Sequence, residues 1–161
     1  MGVIIINNIS KELKRYNYLF SETGAAYHEL YLKLGLPDSA IMILYAILEN
    51  GDRRLLREIC RFTGLNKQTI NSAIRKLEAE GFVYLEMAGA KNKIVCLTES
   101  GKQLAKRTAG CVIKVENEIF ASWSQEDVDI YLALTERFLL ALKEKAKAYR
   151  REEHADYNDE P

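Results

Sequence analysis

The sequence is poor in the residues that most catalytic and metal chemistry requires. Among 161 residues there are two prolines, two histidines and three cysteines. Two prolines and nine glycines exclude collagen-like and broadly disordered classes. Cys60, Cys96 and Cys111 are an odd set without a CxxC pair, which excludes a disulfide framework and predicts reduced thiols. His28 and the distant His154 do not form a metal cluster, so neither metal nor cofactor is expected. The apolar run Val3–Ile6 is too short for a signal segment. Nothing approaches the roughly 18 apolar residues of a membrane span, so a cytoplasmic protein without a membrane partner is expected. No nucleophile–base pair and no glycine-rich phosphate loop is visible, so an enzyme is not expected. Net charge is absent too: 23 Lys and Arg balance 23 Asp and Glu. Taken as a sum, that balance argues against a nucleic-acid partner, which usually meets a basic face.

What is present is an ordinary globular composition, 48% hydrophobic and 29% charged, with strong helical periodicity. Ile9, Leu13, Tyr16, Phe20, Thr23, Tyr27, Leu30 and Leu34 alternate steps of four and three, a heptad-like seam on one long helix. Leu36-Pro37-Asp38-Ser39 breaks it, and the almost wholly apolar stretch from Ala40 to Leu48 predicts a helix buried all round. A short connector from Arg53 to Leu56, possible as one strand, leads to a short helix from Arg57 to Thr63 that turns Ile59, Cys60 and Phe62 partly inward. Asn66 is a good N-cap for a further helix with core positions Ile70, Ala73, Ile74 and Leu77, closed by Gly81. Two β-prone runs, Phe82–Met87 and Ile94–Thr98, flank a polar loop and predict a hairpin. A helix from about Glu99 to Ala121 follows, then Trp123 as a packing anchor. Ser124 with Asp127 resembles a capping box before a last long helix. The fold class is thus mainly α with a small β-hairpin (α+β), with long helices at both ends of the chain.

The helix after Asn66 carries the functional signal. Gln68, Asn71, Ser72 and Arg75 form a polar stripe opposite the core stripe, flanked by Lys67, Thr69 and Lys76. No acid precedes Glu78, although carboxylates favour the first turn of a generic solvated helix. A helix N-terminus free of carboxylates suits an approaching phosphate. Gln and Asn can bond adenine bidentately in the major groove, and Arg can do so to guanine. The hairpin tip adds Lys91, Asn92 and Lys93 without an acid, which suits a wing reaching along the DNA backbone or into the minor groove. Along the chain the charge is not balanced. Arg53 to Lys76 holds seven basic residues and one acid, or +6, while Glu152 to Pro161 holds five acids and no base, or −5.

Three segments carry a family resemblance: Thr63-Gly64-Leu65-Asn66-Lys67-Gln68-Thr69-Ile70, Leu77-Glu78-Ala79-Glu80-Gly81-Phe82-Val83 and Leu97-Thr98-Glu99-Ser100-Gly101. Together they resemble the MarR family of bacterial transcriptional regulators. The resemblance implies a winged helix-turn-helix lobe and a two-fold homodimer held by the first and the last two helices. It also implies recognition helices in successive major grooves of a pseudo-palindromic operator. The expected divisions are a dimerisation helix (1–36), the DNA-binding lobe (37–100), C-terminal dimerisation helices (101–151) and a disordered acidic tail (152–161). The expected DNA-binding residues are Asn66, Lys67, Gln68, Thr69, Asn71, Ser72, Arg75, Lys91, Asn92 and Lys93. Two departures stand out. The family's wing often carries Asp followed by Arg, where this chain has Gly89-Ala90-Lys91. Ser72 occupies a place where Arg is common.

The expected function is therefore a homodimeric, sequence-specific regulator of double-stranded DNA, a repressor relieved by a small aromatic effector in a pocket that includes Tyr16, Tyr27 and Tyr45. At helical spacing those tyrosines also suit a core or dimer seam. Two other readings stay open. A winged helix can serve protein contacts, though the polar stripe is a poor hot spot. Cys60 beside the recognition helix can make the regulator thiol-responsive, against its commoner fate as a small buried hydrophobe.

Overall fold

The computed structural model describes residues 9–89 and 92–155. In chain order the elements are α1 (Lys11–Leu34), α2 (Asp38–Glu49), β1 (Arg53–Leu55), α3 (Leu56–Thr63), α4 (Lys67–Ala79), β2 (Val83–Ala88), β3 (Asn92–Leu97), α5 (Glu99–Arg107), α6 (Ala109–Ala121) and α7 (Gln125–Ala155). They divide into two compact units, Met1–Val115 and Glu116–Pro161. This is the expected α+β class. No single helix among the described residues is long and apolar enough to cross a membrane.

The first unit is organised by α2. Its Ile41, Ile43, Leu44 and Ile47 are fully buried, as an all-apolar helix must be. Around it pack Ile59 of α3, Ile70, Ile74 and Leu77 of α4, Val83, Val95 and Leu97 of the strands, and Leu104 and Ala105 of α5. Each Ile or Leu so buried stabilises the fold by about 1.5–3 kcal/mol relative to exposure. The core therefore extends past residue 100. Ala109 and Val112 of α6 are buried as well, so α5 and the start of α6 belong to the first compact unit and not with the C-terminal helices.

The hairpin pairs Val83 with Leu97 and Ala88 with Asn92 in antiparallel register. The connector Arg53–Leu55 is a strand, and it pairs with the other edge of β3, Arg53 opposite Cys96 and Leu55 opposite Ile94. The sheet is three-stranded in the order β1-β3-β2, not a two-stranded hairpin. A central β3 has backbone partners on both edges, which its burial demands. The hairpin tip, Ala90 and Lys91, lies outside the described residues.

The two sequence motifs around the hairpin meet in space. At the end of α4 the amide of Phe82 donates to the Leu77 carbonyl (2.9 Å) and that of Gly81 to Glu78 (3.0 Å), with Gly81 at φ +76°. This is the Schellman ending, and the left-handed residue is glycine because a Cβ is unfavourable there. Thr98 Oγ1 donates to the Gly81 carbonyl (2.6 Å) and accepts from the amide of Gly101 (3.0 Å), which caps α5. One hydroxyl thus ties the exit of α4 to the entry of α5.

One helix expected from Glu99 to Ala121 is two. The break is at Thr108, whose φ/ψ of −118°/−85° is not helical. Its buried hydroxyl donates to the Leu104 carbonyl (2.7 Å), a side-chain bond that competes with the backbone ladder. In the second unit Trp123 is the expected anchor, edge-on to Tyr131 at 5.3 Å and near Phe120 at 5.6 Å. The amide of Asp127 donates to Ser124 Oγ (3.1 Å), capping α7. α7 runs to Ala155, past the expected start of the tail at 152, and residues 156–161 lie outside the described residues.

Candidate nucleic-acid interface

α4 begins where Asn66 Oδ1 accepts from the amide of Thr69 at 2.8 Å. That bond commits the Asn66 side chain to capping. The apolar face of α4 is fixed by Ile70, Ile74 and Leu77, so the opposite face must point outward. Lys67, Gln68, Ser72 and Arg75 are exposed, and Asn71 is half-buried at their edge. These five residues line one open depression of about 550 Å³. The polar stripe is therefore a contiguous surface, with no carboxylate in it. The first turn of α4 contains no acid, so the positive end of the helix dipole is left uncompensated. Thr69 is turned aside. It lines a neighbouring cleft with Ser39 and Lys76, between α4 and the start of α2.

The structure refines the charge of the basic segment. Arg53 is paired with Glu86 across the sheet at 2.9 Å. Arg54 is largely covered. Its guanidinium reaches Glu49 and the Ala46 carbonyl, each at 2.8 Å, and lies 5.0 Å from the centre of the Phe62 ring. These two arginines hold β1 against α2, α3 and β2. Of the seven basic residues, Arg57, Arg61, Lys67, Arg75 and Lys76 are exposed. None of these five has an ion pair among the described residues.

Residues 34–91, which span the lobe from the end of α1 into the wing, match the model of the MarR family. The matched residues have the winged helix-turn-helix fold. No curated protein sequence matches it. Among solved structures it is similar to a MarR family regulator from Neisseria meningitidis, with a TM-score of 0.77 at 15% identity, over 87% of this chain and 99% of that one. It is also similar to S. aureus MepR solved as a DNA complex (TM-score 0.63, 20% identity, 79% and 97% covered). A third is the PcaV regulator from Streptomyces coelicolor in complex with its natural ligand (TM-score 0.60, 14% identity, 88% and 99% covered). At these identities the likeness is one of fold.

Just past the matched residues, Lys93 is exposed on β3 and Asn92 is half-buried at its start. Lys91, also expected at the interface, lies outside the described residues. The three expected pocket tyrosines have separate aromatic neighbours. Tyr16 stacks on Phe20 (6.0 Å), Tyr27 tilts against Tyr31 (5.9 Å), and Tyr45 stacks on Phe62 (5.6 Å). Tyr16 and Tyr27 are three turns apart on α1, about 16 Å along its axis. Phe62, expected to turn partly inward, is 41% exposed and covers Tyr45 and Arg54 from outside.

Cys96 is buried in β3, and burial followed by the charge of Glu86 pushes its thiol up, away from the reactive thiolate. Cys60 is half-buried beside the core. Along the sequence Arg57 stands out only as one of seven basic residues between Arg53 and Lys76. The signal that would have singled it out is β1: once Leu55 pairs with Ile94, Arg57 lies two residues beyond that contact and beside the wing.

Proposed function

We propose that the chain is a homodimeric, sequence-specific DNA-binding regulator that represses a two-fold operator. The observation that carries this is the acid-free face of α4, where Lys67, Gln68, Asn71, Ser72 and Arg75 share one open surface. Gln68, Asn71 and Arg75 supply the hydrogen-bonding groups that distinguish bases in the major groove. Lys67 and the wing lysines add phosphate attraction, which positions the helix without reading sequence. Asn66 acts by capping the helix, and Thr69 by its amide at the same end. MepR in its DNA complex has the same fold, which supports the reading.

The homodimer rests on α1 and α7. None of the 24 residues of α1 is buried, yet Leu13, Tyr16, Leu19 and Phe20 are apolar or aromatic. In α7, Ile130, Leu134, Phe138 and Leu142 are likewise about half exposed. A second copy of the chain supplies the cover that so much apolar surface needs. Relief by a small aromatic effector completes the reading. The tyrosines of α1 and α2 support it, as does the ligand bound by PcaV, a protein of the same fold. An effector acts by binding one spacing of the two lobes better than the other.

Selection of bound duplexes from a random pool tests the reading, followed by sedimentation of the free protein. Enrichment of an inverted repeat and a dimer are expected. Failure to enrich any sequence sinks the specific reading, and a folded monomer sinks the dimer.

A further inference from the structure

A second depression adjoins the base-reading face, between α3, the first turn of α4 and the base of the wing. Its volume is about 620 Å³, and Arg57, Lys67, Lys93, Asn71, Asn92 and Cys60 are among its lining residues. Three of these are cations drawn from three separate elements, and no carboxylate lines the cleft among the described residues. Glu58, the one acid of α3, is drawn toward Arg54 at 3.8 Å and does not line the cleft. On the other flank of α4 the corresponding cleft contains Lys76 together with Glu80, so its charge is balanced. The two sides of the recognition helix are therefore electrostatically unequal.

We infer that the wing-side cleft is the seat of a DNA backbone phosphate, gripped by Arg57 and Lys93, with Lys67 at its α4 edge. The inference rests on the DNA-binding reading and specifies how the strand lies: it crosses the domain between α3 and β3, not along the α2 flank. The chemistry fits a phosphodiester. A guanidinium presents a fork of donors to two phosphate oxygens, ammonium groups add adaptable point charge, and the Asn71 and Asn92 amides offer uncharged donors. The placement is enforced by the fold. Pairing of Leu55 with Ile94 brings the start of α3 beside Lys93, and the N-cap at Asn66 sets Lys67 at the near end of α4.

The test uses the full chain, a random-sequence duplex and a salt titration read by fluorescence anisotropy. Arg57→Gln with Lys93→Gln should lower the slope of log affinity against log salt by about 0.9, the value of one lost phosphate contact. It should do so equally on a selected duplex and a random one. Lys106→Gln on the exposed side of α5 should leave the slope unchanged. In the wild-type protein, saturating duplex should slow alkylation of Cys60, which lines the same cleft. An unchanged slope in the double variant, or an unprotected Cys60, overturns the inference while leaving the DNA-binding reading intact. A wild-type chain that binds no duplex overturns both.

Discussion

Gly101 lies so close to Phe82 that a Cβ at Gly101 would overlap the Phe82 carbonyl oxygen. The contact joins the first turn of α5 to the residue that follows the α4 turn. It explains why a glycine stands three residues after Thr98: the helix must approach backbone, not side chain, and backbone cannot move aside cheaply. Gly101→Ala should destabilise the domain by about 3 kcal/mol, the upper range for forced overpacking. Chemical denaturation checks this, and a loss below about 1 kcal/mol would show that the junction can relax.

Capping and DNA contact can be separated at Asn66. Asn66→Ala removes the bond to the Thr69 amide and should cost about 1 kcal/mol in thermal or denaturant unfolding. Asn66→Asp keeps a cap and adds a charge that the helix dipole favours, so stability should hold or rise. The same carboxylate faces the approaching phosphates, so DNA affinity should fall. Wild-type affinity in Asn66→Asp would mean that this end of α4 stays away from the backbone.

Arg75 sits at the far end of the polar stripe, exposed and without an ion pair among the described residues. Arg75→Ala should weaken binding to the selected duplex by about 1–3 kcal/mol and relax the preference at one base pair, with a smaller effect on random duplex. Repeating the selection with the variant reads both effects. A uniform loss across all sequences would reassign Arg75 to phosphate.

Lys102 is held by Asp52 at 3.3 Å, with Glu99 at 3.6 Å. The Asp52 bond and charge, then the Glu99 charge, raise its pKa above the ordinary lysine value of 10.5. Because the folded-state value is the higher one, the stabilisation is fully present below about 10.5 and is lost as pH rises through the raised value. Asp52 has φ +67°, a backbone that Asn tolerates, so Asp52→Asn removes the charge without a new strain. The melting-temperature gap between wild type and Asp52→Asn should be constant through neutral pH and close in the alkaline range. A gap that persists unchanged at high pH would show that the ion pair is not its source.

The helices of the first unit were legible because their signals are local. An almost unbroken apolar run marked α2, periodicity marked the buried face of α4, Asn66 marked its start and Gly81 its end. The stripe of Gln68, Asn71, Ser72 and Arg75 follows from the same periodicity, since fixing Ile70, Ile74 and Leu77 inward leaves one direction for the rest. The break at Thr108 was not legible, because a threonine hydroxyl can bond its i−4 carbonyl within an unbroken helix as well.

The sequence by itself determined the class of fold, helix α4 and its outward residues, because each depends on the spacing of neighbours along the chain. Tertiary structure alone decided which charges remain available. Arg53 and Arg54 are spent on Glu86 and Glu49, partners 33 and 5 residues away, while Arg57 is carried to the wing. A charge sum along the chain cannot separate these fates. Whether a cation is neutralised depends on which carboxylate the sheet register and helix packing bring within 4 Å, and that is a property of the folded domain.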